Sequence, residues 1–262
     1  MGEIPERIVP GTLAWDLYHL EHIQRYQFAL PYCKGKNILD VACGVGYGSF
    51  YLAQRGAGSV TGVDISEKAI KWATDHYRLP NLRFFCQDAR ATRFPDDEFD
   101  VIVSFETIEH LPDPERFLDE IHRLLKPTGV FVCSSPNRDF KHKSRENPYH
   151  LSEMSYQVFR QIVEKKFKIL HQYHQSHTSQ YIRMQEIIRE INEINRAVRF
   201  SKLLKMENLF RKFLGKPDIS IESPDPRLSG FIEGDMVIEE LITPEKRHLT
   251  FIFVAEPKRI SQ

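Results

Sequence analysis

Gly44, Gly46 and Gly48 stand in the stretch CGVGYGS, directly after the apolar run NILDVA at 37–42. A glycine-rich turn after a strand lets the backbone approach a ligand closely and aims the next helix N-terminus at it. Ser49 stands where a dinucleotide fingerprint would have its third Gly or Ala. Asp64 lies 20 residues beyond Gly44, at the end of the run SVTGVD. A carboxylate there can accept both ribose hydroxyls of an adenosine ligand. Asp88 follows LRFFCQ and precedes Ala89, a place where an adenine amine needs an acceptor. Either acid could instead cap a helix; Ser66 is available for that task after Asp64, whereas Asp88 suits it equally well.

A second group, E106-T-I-E-H110, follows the run FDVIVSF at 99–105. If this segment turns helically, Glu106, Glu109 and His110 share one face. Two carboxylates and an imidazole suit a divalent metal such as Mg held by oxygen and nitrogen ligands. Without a metal, His110 would serve as a base for a hydroxyl or pack beside the ligand. His171, His174 and His177 fall on an extended stretch where i and i+3 face opposite ways, so a structural or surface role is expected of them.

The elements that must carry these residues alternate. Strands are expected at 37–42, 59–64, 82–87, 99–105 and 129–135, with helices at 66–78 and 113–126 between them. Ser66 and Asp113 read as N-caps, Pro114 as N1, and Pro127 and Gly129 as the end of the second helix. This rhythm implies βαβ units, hence a doubly wound, mostly parallel α/β sheet covered on both faces. A helical cap precedes it at 1–31, and the ligand-binding core runs over 32–177. The stretch 136–151 reads as a long loop over the active site, 152–165 as helix and 167–173 as strand. A helical and loop insertion follows at 178–235, and two strands at 236–257 close the sheet.

Lys plus Arg and Asp plus Glu both number 36, so no global charge attracts nucleic acid, and DNA is not expected as a partner. No run is long and apolar enough to span a membrane, and the MGEIPERIVP start resembles no signal peptide. The four cysteines show no CxxC spacing; three adjoin apolar strand-like runs and are expected to be buried thiols in a reducing, cytoplasmic compartment. Residues 181–216 hold nine Lys/Arg and four Asp/Glu on an amphipathic pattern. It fits a lid or self-association element, or alternatively a contact with the inner membrane face.

In order and spacing, D40-V-A-C-G-V-G-Y-G, G-V-D64, Q-D88-A, F-D-V-I-V-S-F-E-T-I-E-H and L-L-K-P-T-G resemble the motifs of class I S-adenosylmethionine (SAM)-dependent methyltransferases, over about residues 20–175. That resemblance implies the Rossmann-like seven-stranded sheet and SAM as cofactor. It puts Asp40, Ala42, Gly44 and Gly46 at the methionine portion, Asp64 and Ile65 at the ribose, Asp88 and Ala89 at the adenine, and Phe105 beside the cofactor. E21-H-I-Q-R-Y-Q-F-A followed by the glycine turn is similar to bacterial methyltransferases linked to polysaccharide synthesis. By that likeness Arg25 pairs with the SAM carboxylate and Tyr26 covers the cofactor. Glu-x-x-Glu-His resembles the metal-binding segment of ubiquinone-pathway O-methyltransferases and small-RNA 2′-O-methyltransferases, with His150 as the counterpart of a further ligand.

The implied function is methyl transfer from SAM to a hydroxyl on a small molecule, sugar or glycan intermediate, with His110, Glu106 and His150 at the chemistry. Methylation of an RNA 2′-hydroxyl is the alternative, opposed by the neutral charge and the lack of a stacking platform. An NAD-dependent oxidoreductase would share Asp64 but not Ser49 or the motif around Asp40. A non-catalytic SAM-binding module is the remaining class.

Overall fold

The computed structural model describes residues 7–139, 149–177, 186–190, 193, 196, 236–240 and 250–258. Its elements are α1 (Leu13–Cys33), β1 (Asn37–Val41), α2 (Tyr47–Gln54), β2 (Ser59–Asp64), α3 (Glu67–His76), β3 (Leu82–Cys86), β4 (Phe99–Ser104), a 3₁₀ turn at Ile108–His110, α4 (Pro114–Leu124), β5 (Leu125–Pro136), α5 (Tyr156–Glu164), β6 (Phe167–His177), β7 (Met236–Glu240) and β8 (Thr250–Pro257). The strands form one sheet in the order β3-β2-β1-β4-β5-β8-β6-β7. β1 to β5 pair in parallel, whereas β8 is antiparallel to both β5 and β6, and β7 is antiparallel to β6.

Both faces of the sheet are buried, as the almost wholly apolar strands require. Ile38 of β1 and Val101 and Val103 of β4 pack with Tyr26, Ala29 and Cys33 of α1 on one face. Leu39 and Val41 of β1, Ile102 of β4 and Phe251 and Phe253 of β8 pack on the other with Phe117 and Ile121 of α4 and Phe159 of α5. Phe159 stacks on Phe253 with ring centroids 4.7 Å apart.

The expected caps are present at two helices. Ser66 Oγ accepts the Ala69 amide at the start of α3, and Asp113 accepts the Arg116 amide at the start of α4, with Pro114 in its first turn. Two boundaries differ from the sequence reading. The helix expected to reach Lys126 ends at Leu124, because Leu125 already pairs with Phe99 and strand β5 begins there. α5 starts at Tyr156, capped by Ser155 and not by Ser152. β7 and β8 are the two strands expected at 236–257; with β7 on the outer edge of β6, the sheet has eight strands, one more than the seven that the resemblance implied.

Among the described residues, no helix is long and apolar enough to cross a membrane. Residues 186–190 are helical; most of the 178–235 insertion, with its amphipathic stretch, lies outside the described residues. Cys33, Cys43 and Cys133 are buried, but Cys86 is exposed: it ends the edge strand β3, so adjacency to an apolar run did not bury it.

Candidate active site

Parallel strands deliver their C-terminal ends, and the loops after them, to one edge of the sheet. Four of those ends carry the candidate residues.

After β1, Ala42 and Gly44 take positive φ of 59° and 57°, and Gly46 takes 81° as the N-cap of α2. A side chain on Gly46 would lie 2.6 Å from the Phe84 ring, and one on Gly48 would lie 1.9 Å from Cζ of Tyr26. Gly46 is thus needed for both conformation and space, and Gly48 because the Tyr26 ring occupies the place of a side chain. The Tyr26 hydroxyl donates to Asp40 at 3.1 Å, and Ser49 Oγ donates to it at 2.6 Å. Burial pushes the Asp40 carboxyl up to about 7; those two hydrogen bonds pull it down, and the Asp64 charge pushes it up. Asp40 and Tyr26 therefore face inward. Tyr26 packs 5.0 Å edge-on against Phe105, and Asp40 ties α1 and α2 around the turn.

At the end of β2, Asp64 accepts the amides of Gly44 at 3.0 Å and Ser66 at 2.8 Å. Arg7 Nη2 donates to the same carboxylate at 2.8 Å. The N-terminal segment thus holds the oxygen that a ribose hydroxyl would use. Ile65, the next residue, is an apolar side chain left 64% exposed at this edge. Asp88 is gripped by Arg90, whose main-chain amide donates at 2.9 Å and whose Nη2 donates at 2.8 Å. The Arg90 hydrogen bonds hold its carboxyl below the ordinary range.

After β4 the expected helical face does not form. Glu106 takes φ of 51°, and only Ile108–His110 turn, as 3₁₀. Such a conformation is costly for a non-glycine residue and needs outside support. Ser134 of β5 supplies it, accepting the Glu106 amide at 3.1 Å and donating to Glu106 Oε1 at 2.7 Å. Glu106 Oε2 lies 3.8 Å from Arg25 Nη2. Its carboxylate is thus committed to Ser134 and Arg25, outside the cluster of candidate metal ligands, contrary to the sequence expectation.

That cluster is Glu109, His110 and His150, with ligand atoms within 4.8 Å of one another. Glu109 is fully buried, and neither carboxylate oxygen has a hydrogen-bond partner among the described residues. Burial and then the nearby Glu106 charge raise its carboxyl well above the usual range. His110 Nδ1 lies 3.2 Å from the Tyr149 carbonyl, and His150 Nδ1 is bonded to the Glu153 carboxylate. Both oxygens accept, so both Nδ1 atoms carry the hydrogen and Nε2 is the basic nitrogen of each ring. The rings meet edge-on at 4.7 Å. Ser152 clamps the loop in place: its amide donates to the Glu109 carbonyl at 2.9 Å and its hydroxyl to the Leu111 carbonyl at 3.0 Å.

Arg25 of α1 is 2% exposed, and its Nη1 has no hydrogen-bond partner among the described residues. Its Nε donates to Gln175 of β6 at 2.7 Å. Sequence reasoning missed Arg7, Ser134, Glu153 and Gln175. Glu153 had a local signal, three residues after His150; the others are joined to the site only by the fold.

With this geometry in view, comparisons with known proteins agree. Residues 39–133 match the family model described as a methyltransferase domain. A probable SAM-dependent methyltransferase from Mycolicibacterium smegmatis is 32% identical over 162 residues, 61% of this chain and 62% of that one. A ubiquinone biosynthesis O-methyltransferase from Coxiella burnetii is 43% identical over 110 residues, 41% of this chain and 47% of that one. The matched segments thus span less than two thirds of these relatives. Among solved structures, the cyclase SpnF superposes with a TM-score of 0.60 at 18% identity, covering 90% of this chain and 80% of that one. The PH0226 protein of Pyrococcus horikoshii gives 0.55 at 18%, covering 92% and 91%. Residues 39–133 thus resemble a methyltransferase domain, on the α/β sheet expected from the sequence.

Proposed function

We propose that the protein is an enzyme that binds SAM along the ends of β1, β2 and β4 and transfers its methyl group to a hydroxyl on a sugar or glycan intermediate. The observation that carries the cofactor reading is the junction of Gly44 and Asp64, where glycine backbone and a buried carboxylate meet at 3.0 Å. Ile65 offers an apolar surface to the adenosine, and Asp88 the acceptor beside it. Arg25, a buried cation with an unpartnered Nη1, fits the cofactor's carboxylate. SAM supplies an electrophilic methyl group when bound. Asp64 must exchange Arg7 for the ribose hydroxyls, and Arg25 fixes the amino-acid end, so that the reacting centre is placed by its two flanks.

His110 and His150 each present a basic Nε2, which suits removal of a hydroxyl proton from the acceptor. Glu106 keeps the turn that presents His110 in place through Ser134. The acceptor reading also draws on the O-methyltransferase relative. A divalent cation fits the donor set Glu109, His110 and His150, since the buried Glu109 oxygens have no hydrogen-bond partner among the described residues. It would supply a Lewis acid beside the acceptor. The amphipathic stretch 181–216 completes this reading as a lid, a self-association element or a contact with the inner membrane face in a cytoplasmic enzyme.

Calorimetric titration with S-adenosylhomocysteine (SAH) and with NADH tests the cofactor: saturable binding of SAH alone is expected, and binding of NADH alone would overturn it. Methyl transfer to hydroxyl-bearing glycans, compared with RNA 3′ ends, tests the acceptor. Transfer to RNA only would replace the glycan reading, and full activity after exhaustive chelation would remove the metal.

A further inference from the structure

We infer that Gln175 is a positioning residue for the cofactor's carboxylate, acting through Arg25, so that the antiparallel half of the sheet sets affinity at the parallel half. The inference rests on the reading that Arg25 receives that carboxylate. Gln175 sits on β6, paired with Ile238 of β7 and Thr250 of β8, and is 1% exposed. Its amide nitrogen donates to the Glu21 carbonyl at 3.1 Å and to Gln24 Oε1 at 2.8 Å. With both of its N–H groups committed to α1, the amide cannot flip, and its oxygen must face Arg25 Nε, which it meets at 2.7 Å.

A guanidinium is rigid and planar, so fixing Nε fixes the direction of the remaining fork. That fork is under-satisfied. Nη1 is buried without a partner, and Nη2 has only the carboxylates of Glu106 at 3.8 Å and Glu21 at 4.0 Å, beyond hydrogen-bond length. A buried cation left this way is costly unless an anion completes it. The pair Nη1 and Nη2 has the bidentate geometry that a carboxylate matches. A neutral amide at 175 orients this charge without adding a third carboxylate to those of Glu106 and Glu21.

The test compares SAH with 5′-methylthioadenosine, which shares the adenosine but has no amino-acid portion, by calorimetry on the full chain. Gln175→Met keeps the bulk and removes the acceptor. It should weaken SAH about tenfold, the value of one charge-assisted hydrogen bond, and leave methylthioadenosine within about twofold. In an Arg25→Lys background, which has no Nε, Gln175→Met should change the ratio of the two affinities no further. An unchanged ratio in Gln175→Met alone, or an equal loss for both ligands, would overturn the positioning role. If Arg25→Lys itself leaves the ratio at its wild-type value, the carboxylate reading of Arg25 falls and the role of Gln175 with it. Should Gln175→Met fail to fold, Gln175→Leu provides the same comparison.

Discussion

The ends of β1 and β2 and the ends of β4 and β5 form one continuous edge, yet they are finished differently. At the first pair, both carboxylates are satisfied within the chain: Asp40 by Tyr26 and Ser49, Asp64 by Gly44, Ser66 and Arg7. At the second pair, buried polar atoms have no hydrogen-bond partner among the described residues: Ser104 Oγ, Ser135 Oγ, both oxygens of Glu109 and Nη1 of Arg25, whose Nη2 lies 3.8 Å from Glu106. Buried polar groups are normally hydrogen-bonded, so such a concentration marks where ligand groups are expected. One half of the edge is a preformed support, and the other depends on what it binds.

The largest effect should come from the unfinished half. His110→Ala is expected to lower turnover by about 10²–10⁴-fold while SAH affinity stays within about twofold. Steady-state kinetics beside calorimetry decide this, and a parallel loss of SAH affinity would erase the division between the halves. Asp64→Ala should weaken SAH by about 100-fold or more, because two ribose hydroxyls lose a charged acceptor. Unchanged affinity there would sink the cofactor assignment.

The finished half should declare itself in stability. The Asp40 carboxyl is raised to about 7 from 3.8, so between these values the folded state keeps a proton that the unfolded chain has released. Its contribution is fully present below the unfolded value and is lost as pH rises through about 7. Burial sets this value first; Ser49 from α2 and Tyr26 from α1 pull it down, and the Asp64 charge from β2 pushes it up. Asp40→Asn should flatten that slope, read as denaturation midpoints at about pH 5 and about pH 8. The smallest effect belongs to Arg7. If its guanidinium competes with ribose for Asp64, Arg7→Ala should tighten SAH about two- to fivefold, the range of a partly exposed ion pair. Weaker binding in this variant would instead make Arg7 a contact of the ligand.

Much of this molecule was legible in its residues. Short, almost wholly apolar runs split by capped helices placed β1 to β5, because local propensity and burial agree there. The glycine turn and Asp64 were legible because positive φ and a strand-end carboxylate are local needs. The place of Tyr26 over Gly48 was not legible, because the packing of an α1 ring into that space is a tertiary fact. Glu106 was misread as a metal ligand, because its positive φ is imposed by Ser134, 28 residues away. Sequence by itself determined the fold class, the glycine turn and the chemistry on offer at each strand end, since these follow from short-range patterns. Only the tertiary structure decided which groups meet. Gln175 reaches Arg25 across 150 residues, and His150 reaches His110 through a loop clamped by Ser152, because those contacts exist only once the sheet has closed.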